Sequence, residues 1–419
     1  MGGDRSRNRI HLQALWLTLA AIAAAIGFAD PAAAYRFKKI ADTQTLIPGG
    51  GGALFNFNNS DLPAISGDRV VFRSTDRTIW TATKSGQGLM SVITTQDRIP
   101  GGWGKFHQDS GNSVAIDGDT VVINGQQNCI CDPIGIFTRL FSGGRIKKIV
   151  DRNDTNANFP GADKTFGTFG SDFRVRDGAV VFTNRQQVFS APINRSKVTA
   201  VAGPQDQGSQ PPSPYCCLFG DPSVKAGKMA LRASTGLGVG SVQTVRKNGD
   251  PGSFRIIASE STHAPHTPGG YRLDPTKFWR MVIDDAVVFG GASSKPSNPT
   301  RTGIYSSANG LTRLADTSMA VPGGAGNFNF VWSGSTSPIL ASGGLVVFGA
   351  TDSANVKAIF VVKQTGGRIR RVIGVGDPIR GFTVGDLFVS RHGLSGGNLA
   401  FAVSYGNVSG FGLYSTVLQ

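Results

Sequence analysis

Glutamate is almost missing from this 419-residue chain, with Glu260 the single one among 27 acidic residues. Glutamate favours exposed helical faces, so its absence argues against an architecture of long solvent-facing helices. It also excludes a glycosidase that works through two glutamates, although a pair of aspartates could still fill those roles. Cysteine is scarce, and the four residues form two close pairs, Cys129/Cys131 and Cys216/Cys217. Neither Cys-x-Cys nor Cys-Cys has the separation usual for zinc ligands. Cofactor fingerprints are missing too. Gly236-x-Gly238-x-Gly240 falls in a predicted hairpin rather than between a strand and a helix. Asp151-x-Asn153-Asp154-x-Asn156 lacks the turn glycine and final glutamate of a calcium loop. Gly393-Leu394-Ser395-Gly396-Gly397 matches a nucleophile elbow by letter, but it sits in a strand–strand turn with no helix after it. No metal and no cofactor are expected.

Long hydrophobic runs are also lacking, apart from one at the N-terminus. Arg5, Arg7 and Arg9 precede an apolar stretch from about Leu12 to Phe28, and Asp30-Pro31-Ala32-Ala33-Ala34 follows. A positive region, a short apolar core and a small-residue cut site make a secretory signal, read here as cleaved near Ala34 rather than kept as an anchor. The expected division is a signal peptide over 1–34 and one domain over 35–419. No other stretch approaches the ~20 apolar residues of a spanning helix. An extracytoplasmic location, periplasmic or secreted, follows, and with it an oxidising environment in which the cysteines form disulfides. Four cysteines allow three pairings. Bridging between the two close pairs is favoured over a vicinal Cys216–Cys217 bond, because it would stiffen one face of the molecule.

What the chain does have is glycine, 57 residues of it, with 21 prolines and 40% hydrophobic residues. That composition, with short β-branched runs, reads as an all-β fold with many tight turns. One pattern recurs: a short apolar run, a Gly/Asp turn, then β-formers ending in a large apolar residue. It appears as LPAISGDRVVF ending at Phe72, SVAIDGDTVVI at Ile123 and FRVRDGAVVF at Phe182. It continues as PSVKAGKMAL at Leu231, RMVIDDAVVF at Phe289, PILASGGLVVF at Phe348 and RHGLSGGNLAF at Phe401. The intervals are 51, 59, 49, 58, 59 and 53 residues. Each copy continues into a second run such as TIWTA, GIFTRL or GIYSS, then a third such as MSVIT, IKKIV or LTRLA, then a Gly/Pro-rich connection that often reads Pro-Gly-Gly. Four short meandering strands, here lettered A to D, repeated seven times at this period describe a seven-bladed β-propeller.

The ends predict how the ring closes. Seven A–B–C sets are followed by six D strands, and the last copy stops just after its C strand. Phe37-Lys38-Lys39-Ile40-Ala41-Asp42 matches the D strand LTRLADT (311–317), so the N-terminal strand is expected to complete the C-terminal blade. Such closure removes exposed edges. The Gly-Asp turn before Val-Val-Phe, followed by Ile-Tyr or Ile-Trp, resembles the propeller repeat of TolB-like proteins. The Ala-Asp-Thr, Pro-Gly-Gly and following Phe are closer still to a family of exported bacterial repeat proteins. The resemblance covers roughly residues 36–416 and implies the fold, not an activity.

The mature chain has four histidines. His107, His263 and His266 fall in D–A connections, and His392 in the seventh A strand (VSRHGLS), the innermost type. With Tyr271 they are the candidates for acid–base chemistry. Arg174, Arg176, Arg280 and Arg391 lie on A strands and are candidates for holding carboxylate, sulfate or phosphate. By analogy with other propellers, the site is expected on the face carrying the D–A and B–C connections, which also hold both cysteine pairs. The formal charge is +15, and losing residues 1–34 leaves +14. A basic exported surface points to an anionic polysaccharide or a cell-envelope protein as partner. Export and the lack of a motif exclude nucleic acid. The reading is a monomeric, non-catalytic binding scaffold. The alternative is a polysaccharide lyase on acidic polymers, with arginine neutralising the uronate and histidine or tyrosine moving the proton.

Overall fold

The computed structural model describes residues 35–59, 62–101, 104–106, 114–125, 135–155, 165–166, 173–184, 187–194, 197–202, 217–234, 240–246, 253–265, 271–295, 298–330 and 339–418. Contacts divide the chain into Met1–Tyr35 and Arg36–Gln419. The proposed signal peptide, Cys129, Cys131, Cys216, His107 and His266 lie outside the described residues.

The second unit is a seven-bladed β-propeller, with no α-helix among the described residues and so no helix able to cross a membrane. Each blade is an antiparallel A–B–C–D meander. Blade 1 consists of Ala64–Ser66, Arg69–Arg73, Ile79–Thr83 and Met90–Ile93. Blades 2 to 6 begin with inner strands Val114–Asp117, Phe173–Arg176, Cys217–Lys225, Arg272–Ile283 and Ile339–Ser342. Each inner strand packs on the next around the axis. The predicted closure is present: Lys38–Asp42 pairs with Phe411–Val417 as the fourth strand of blade 7, with Lys38 opposite Ser415 and Asp42 opposite Gly412.

The Val-Val-Phe runs become second strands because both of their faces are covered. Val70, Val71 and Phe72 are fully buried between neighbouring blades, so the run is continuously apolar instead of alternating. The Asp/Gly pairs before these runs form the A–B turns. At Asp177-Gly178 both φ angles are positive, 52° and 71°, which suits a two-residue hairpin. Among the described residues, hydrophobic clusters each join two adjacent blades. The Phe after Pro-Gly-Gly also belongs to the core. Phe55 and Phe57 stack at 5.5 Å and meet Phe72 and Trp80 edge-on, while Phe328 and Phe330 stack at 5.6 Å beside Phe348 and Phe360. Each fully buried ring contributes roughly 1.5–3 kcal/mol.

The Ala-Asp-Thr signature also has a structural cause. Asp42, Asp151 and Asp316 end D strands, are buried, and accept hydrogen bonds from the residues that turn the chain inward. Lys39, Lys148 and Arg313, three residues earlier, pair with them at 2.9, 3.0 and 2.7 Å. The buried aspartate explains the glycine that faces it from the C strand, in Gly-Ile-Phe and in Gly-Ile-Tyr. A Cβ on Gly135 would lie 2.6 Å from the Val150 carbonyl oxygen and 2.9 Å from the Asp151 Cβ, and Gly303 faces Ala315 and Asp316 identically. Every C–D pairing contains a bulge, which twists the outer edge.

One inner strand departs from the sequence expectation. The seventh is split into Phe382–Phe388 and Leu394–Ser395, and Arg391 and His392 both sit in the turn between them, not in a strand. Gly393 fixes the break, because its amide donates to Ser390 O and its own carbonyl accepts from Ala400 N at 2.7 Å.

Candidate functional site

The inner strands end in A–B turns that are stitched into a ring. A side chain at the end of one inner strand or in its turn accepts a hydrogen bond from a backbone N–H in the turn of the next blade. Ser66 receives Gly118 N (3.0 Å), Asp117 receives Gly178 N (2.6 Å) and Asp177 receives Ala226 N (2.6 Å). Asp284 receives Gly344 N (3.0 Å), Ser342 receives Gly396 N (2.9 Å) and Ser395 receives Gly67 N (3.2 Å). The remaining junction, blade 4 to blade 5, is made by the Lys225 ammonium, which donates to Asp284 and, at 2.9 Å, to Asp285.

Within this ring lies a cavity of about 400 Å³, whose lining includes Arg174, Arg176, Lys225, Arg391, His392 and Ser395. It sits at the A–B end of the channel, not on the expected face of the D–A and B–C connections, because Arg176 and Lys225 stand at the turn ends of their inner strands. Three of the four predicted binding arginines and one of the predicted catalytic residues are therefore brought together. Arg280 is elsewhere, with φ of 42° beside an irregular pairing in blade 5, and is not part of the lining. Tyr271 is buried in the blade 4–5 core with the Arg301 guanidinium 4.9 Å above its ring. His263 is exposed, and its backbone pairs with Arg272 in a small hairpin of the connection. Cys217 opens the inner strand of blade 4.

Two of the three channel arginines run across the axis. Arg174 in blade 3 donates to Arg391 O in blade 7 at 2.7 Å. Arg176 reaches Asp284 Oδ1 at 2.6 Å and Ala341 O at 3.1 Å, in blades 5 and 6. The Asp284 carboxylate is wholly buried and also accepts from Lys225, Gly344 N and Gln364 Nε2 (2.7 Å). Burial alone would raise its pKa, but the Lys225 hydrogen bond, the Gly344 amide and Arg176 hold it below the usual carboxylate range. Burial would lower the Lys225 pKa, and the hydrogen bonds to Asp284 and Asp285 raise it instead. His392 lies 3.3 Å from Phe173 O through Nε2, an N–H donating to a carbonyl. Desolvation, with the positive charge of Arg174, depresses its pKa to about 3, so the ring is neutral at physiological pH.

Sequence reasoning found the channel residues but not Asp284 and Lys225, the hub of the network. The Asp284-Asp285 pair in the fifth A–B turn, where other copies have glycine, was the available signal. Five of the described aspartates are buried across the fold, Asp284 among them. Asp42, Asp151, Asp284, Asp316 and Asp352 are buried and bound to turn amides or basic partners. The outer D strands carry exposed basic residues: Lys38, Arg145, Lys147 and Arg255. Among the described residues, no cluster of histidine, cysteine and carboxylate side chains could hold a metal ion.

No protein-family model and no curated protein matches the sequence. Solved structures do. A prolyl endopeptidase aligns over 85% of this chain at 12% identity and a TM-score of 0.44. The chain spans 49% of that enzyme's length. TolB of Agrobacterium tumefaciens aligns over 86% of this chain and 90% of its own at 11% identity and a TM-score of 0.34. TolB of Acinetobacter baumannii aligns over 73% and 66% at 12% identity and a TM-score of 0.36.

Proposed function

We propose that this chain is an exported β-propeller that binds an anionic polymer, an acidic polysaccharide, on its basic surface without transforming it. The observation that carries this reading is the excess of cationic groups: Lys38, Arg145, Lys147 and Arg255 stand exposed on the outer strands, while Asp42, Asp151, Asp284, Asp316 and Asp352 are buried and spent on turn amides and basic partners. A net charge of +15 in the full chain attracts a polyanion from a distance. Basic residues on outer strands also keep edges from pairing with other chains, and that role is compatible with polymer binding. The lyase alternative is less favoured. His392 is a neutral ring bonded to Phe173 O, and neither Tyr271 nor His263 lines its cavity. Export is supported by the N-terminal Arg-rich and apolar pattern ending at Ala34.

The test is retention of the mature chain, from Tyr35, on polygalacturonate, alginate and neutral dextran over a salt series. Binding to both acidic polymers that weakens steeply with salt, with no rise in absorbance from unsaturated product, is the expected result. Equal retention on dextran, or no retention at low salt, overturns the binding reading. Appearance of unsaturated product replaces it with the lyase.

A further inference from the structure

The closure of the ring creates a second cavity, of about 500 Å³, on blade 7 beside blade 1. Its walls come from four segments. Lys38, Lys39 and Asp42 belong to the N-terminal strand, Tyr414 to the strand it pairs with, Arg380 and Phe382 to a hairpin in blade 7, and Ser85 to the C–D turn of blade 1. The charges are unequal. Lys39 is neutralised by Asp42 at 2.9 Å. Lys38 is exposed and pairs with no carboxylate among the described residues. Arg380 is held in the left-handed region at φ 51°, and its Nε donates to Phe37 O at 3.1 Å. Beside these cations stands a rigid aromatic wall. Phe382 stacks on Tyr405 at 4.2 Å, and the Tyr405 hydroxyl lies 2.8 Å from that of Tyr414.

We propose that this seam cavity is the subsite that seats one uronate residue of the bound polymer, an inference that rests on the polymer-binding reading above. Two cations without a carboxylate partner fit a single carboxylate, with the guanidinium able to take both oxygens. The volume and the aromatic side exceed what a bare inorganic anion needs and match a small-molecule site with a few fixed polar groups. A sugar acid presents both features, a charged group at one end and a flat C–H face to lay against Phe382. Because Lys38 lies on the closing strand and Arg380 on the hairpin, the ligand joins the two and stabilises the closed ring by mass action.

The test uses the mature chain and trigalacturonate as probe, followed by calorimetry and thermal unfolding, with galactotriose and sulfate as controls. Trigalacturonate is expected to bind and raise Tm, and Lys38→Gln with Arg380→Gln to weaken it about tenfold. Phe382→Leu, which keeps the apolar contact, weakens trigalacturonate and leaves sulfate unchanged. Sulfate binding as tightly as trigalacturonate and competing with it, or variants that bind trigalacturonate like the parent, overturns the subsite. If the variants also retain polygalacturonate at full strength, the subsite fails while the polymer reading stands. Failure of the parent to hold polygalacturonate at all removes both.

Discussion

Arg176 of blade 3 and Asp284 of blade 5 meet across the propeller axis, Nη2 to Oδ1 at 2.6 Å, and the carboxylate is wholly buried. The same carboxylate takes Lys225, Gln364 and the Gly344 amide, so blades 3, 4, 5 and 6 converge on one group. Removing one partner from such a cluster leaves buried charge uncompensated. Asp284→Ala is expected to lose about 3 kcal/mol in urea unfolding. Arg176→Ala loses less, because Lys225 remains on the carboxylate, and the double variant loses less than the sum. An additive cycle would show that the two residues do not act together.

Protonation of His392 adds a pH dependence with a definite sign. Its folded pKa, about 3, lies below the unfolded value of ~6.5, so the folded state binds fewer protons between those limits. Stability from this residue is complete above pH ~6.5 and declines as pH falls toward the folded value. Asp284, also depressed in the folded state, adds its loss only below the ordinary carboxylate range of ~4. Tm measured between pH 7 and pH 4.5 should therefore fall in the parent and stay nearly flat in His392→Gln, whose amide can still donate to Phe173 O. Identical slopes would mean that His392 does not titrate across this window.

The N-terminal strand closes the ring, and Ile40 and Ala41 are buried in the blade 7–1 core with Leu413. Ile40→Ala should cost about 2–5 kcal/mol, as for other buried aliphatic truncations. A chain starting at Thr43 leaves Phe411–Val417 as a bare edge, and light scattering should show it associating where the mature chain does not. A truncated chain that stays monomeric with the parent Tm would refute closure by this strand.

Glycine opposite the end of a D strand answers a packing demand. Gly303→Ala would push a methyl to 2.6 Å from the Ala315 carbonyl oxygen, and should destabilise by about 1–3 kcal/mol. Gly118→Ala meets nothing within 4 Å but has a φ of +58°, so its smaller cost comes from backbone strain alone, on the order of 1 kcal/mol. Equal losses at the two positions would contradict the assignment of Gly303 to close packing.

Much of the fold was legible because each blade repeats a local solution. The Gly/Asp turn before Val-Val-Phe marks the A–B hairpin, and Phe37–Asp42 could be matched to LTRLADT by residue type alone. The seventh inner strand was not legible. RHGLS has the letters of an A strand, yet Gly393 lies so close to the Ala400 and Ser390 carbonyls, 2.7 and 3.1 Å from where a Cβ would be, that the chain turns there. Arg174, Arg176 and Arg391 were found as channel residues, but their partners were not. Arg174 and Arg391 are 217 residues apart, and Arg176 and Asp284 are 108 apart.

The sequence by itself determined the number of blades, the strands within them apart from the seventh inner strand, and the strand that closes the ring, because turn chemistry and runs of β-branched residues act over a few neighbours. Only the tertiary structure decided which channel cations reach a carboxylate or a carbonyl, where His392 sits, and that two cavities lie at the axis and at the seam. Those relations depend on distances across the closed ring, and no local pattern encodes a distance between segments a hundred or more residues apart.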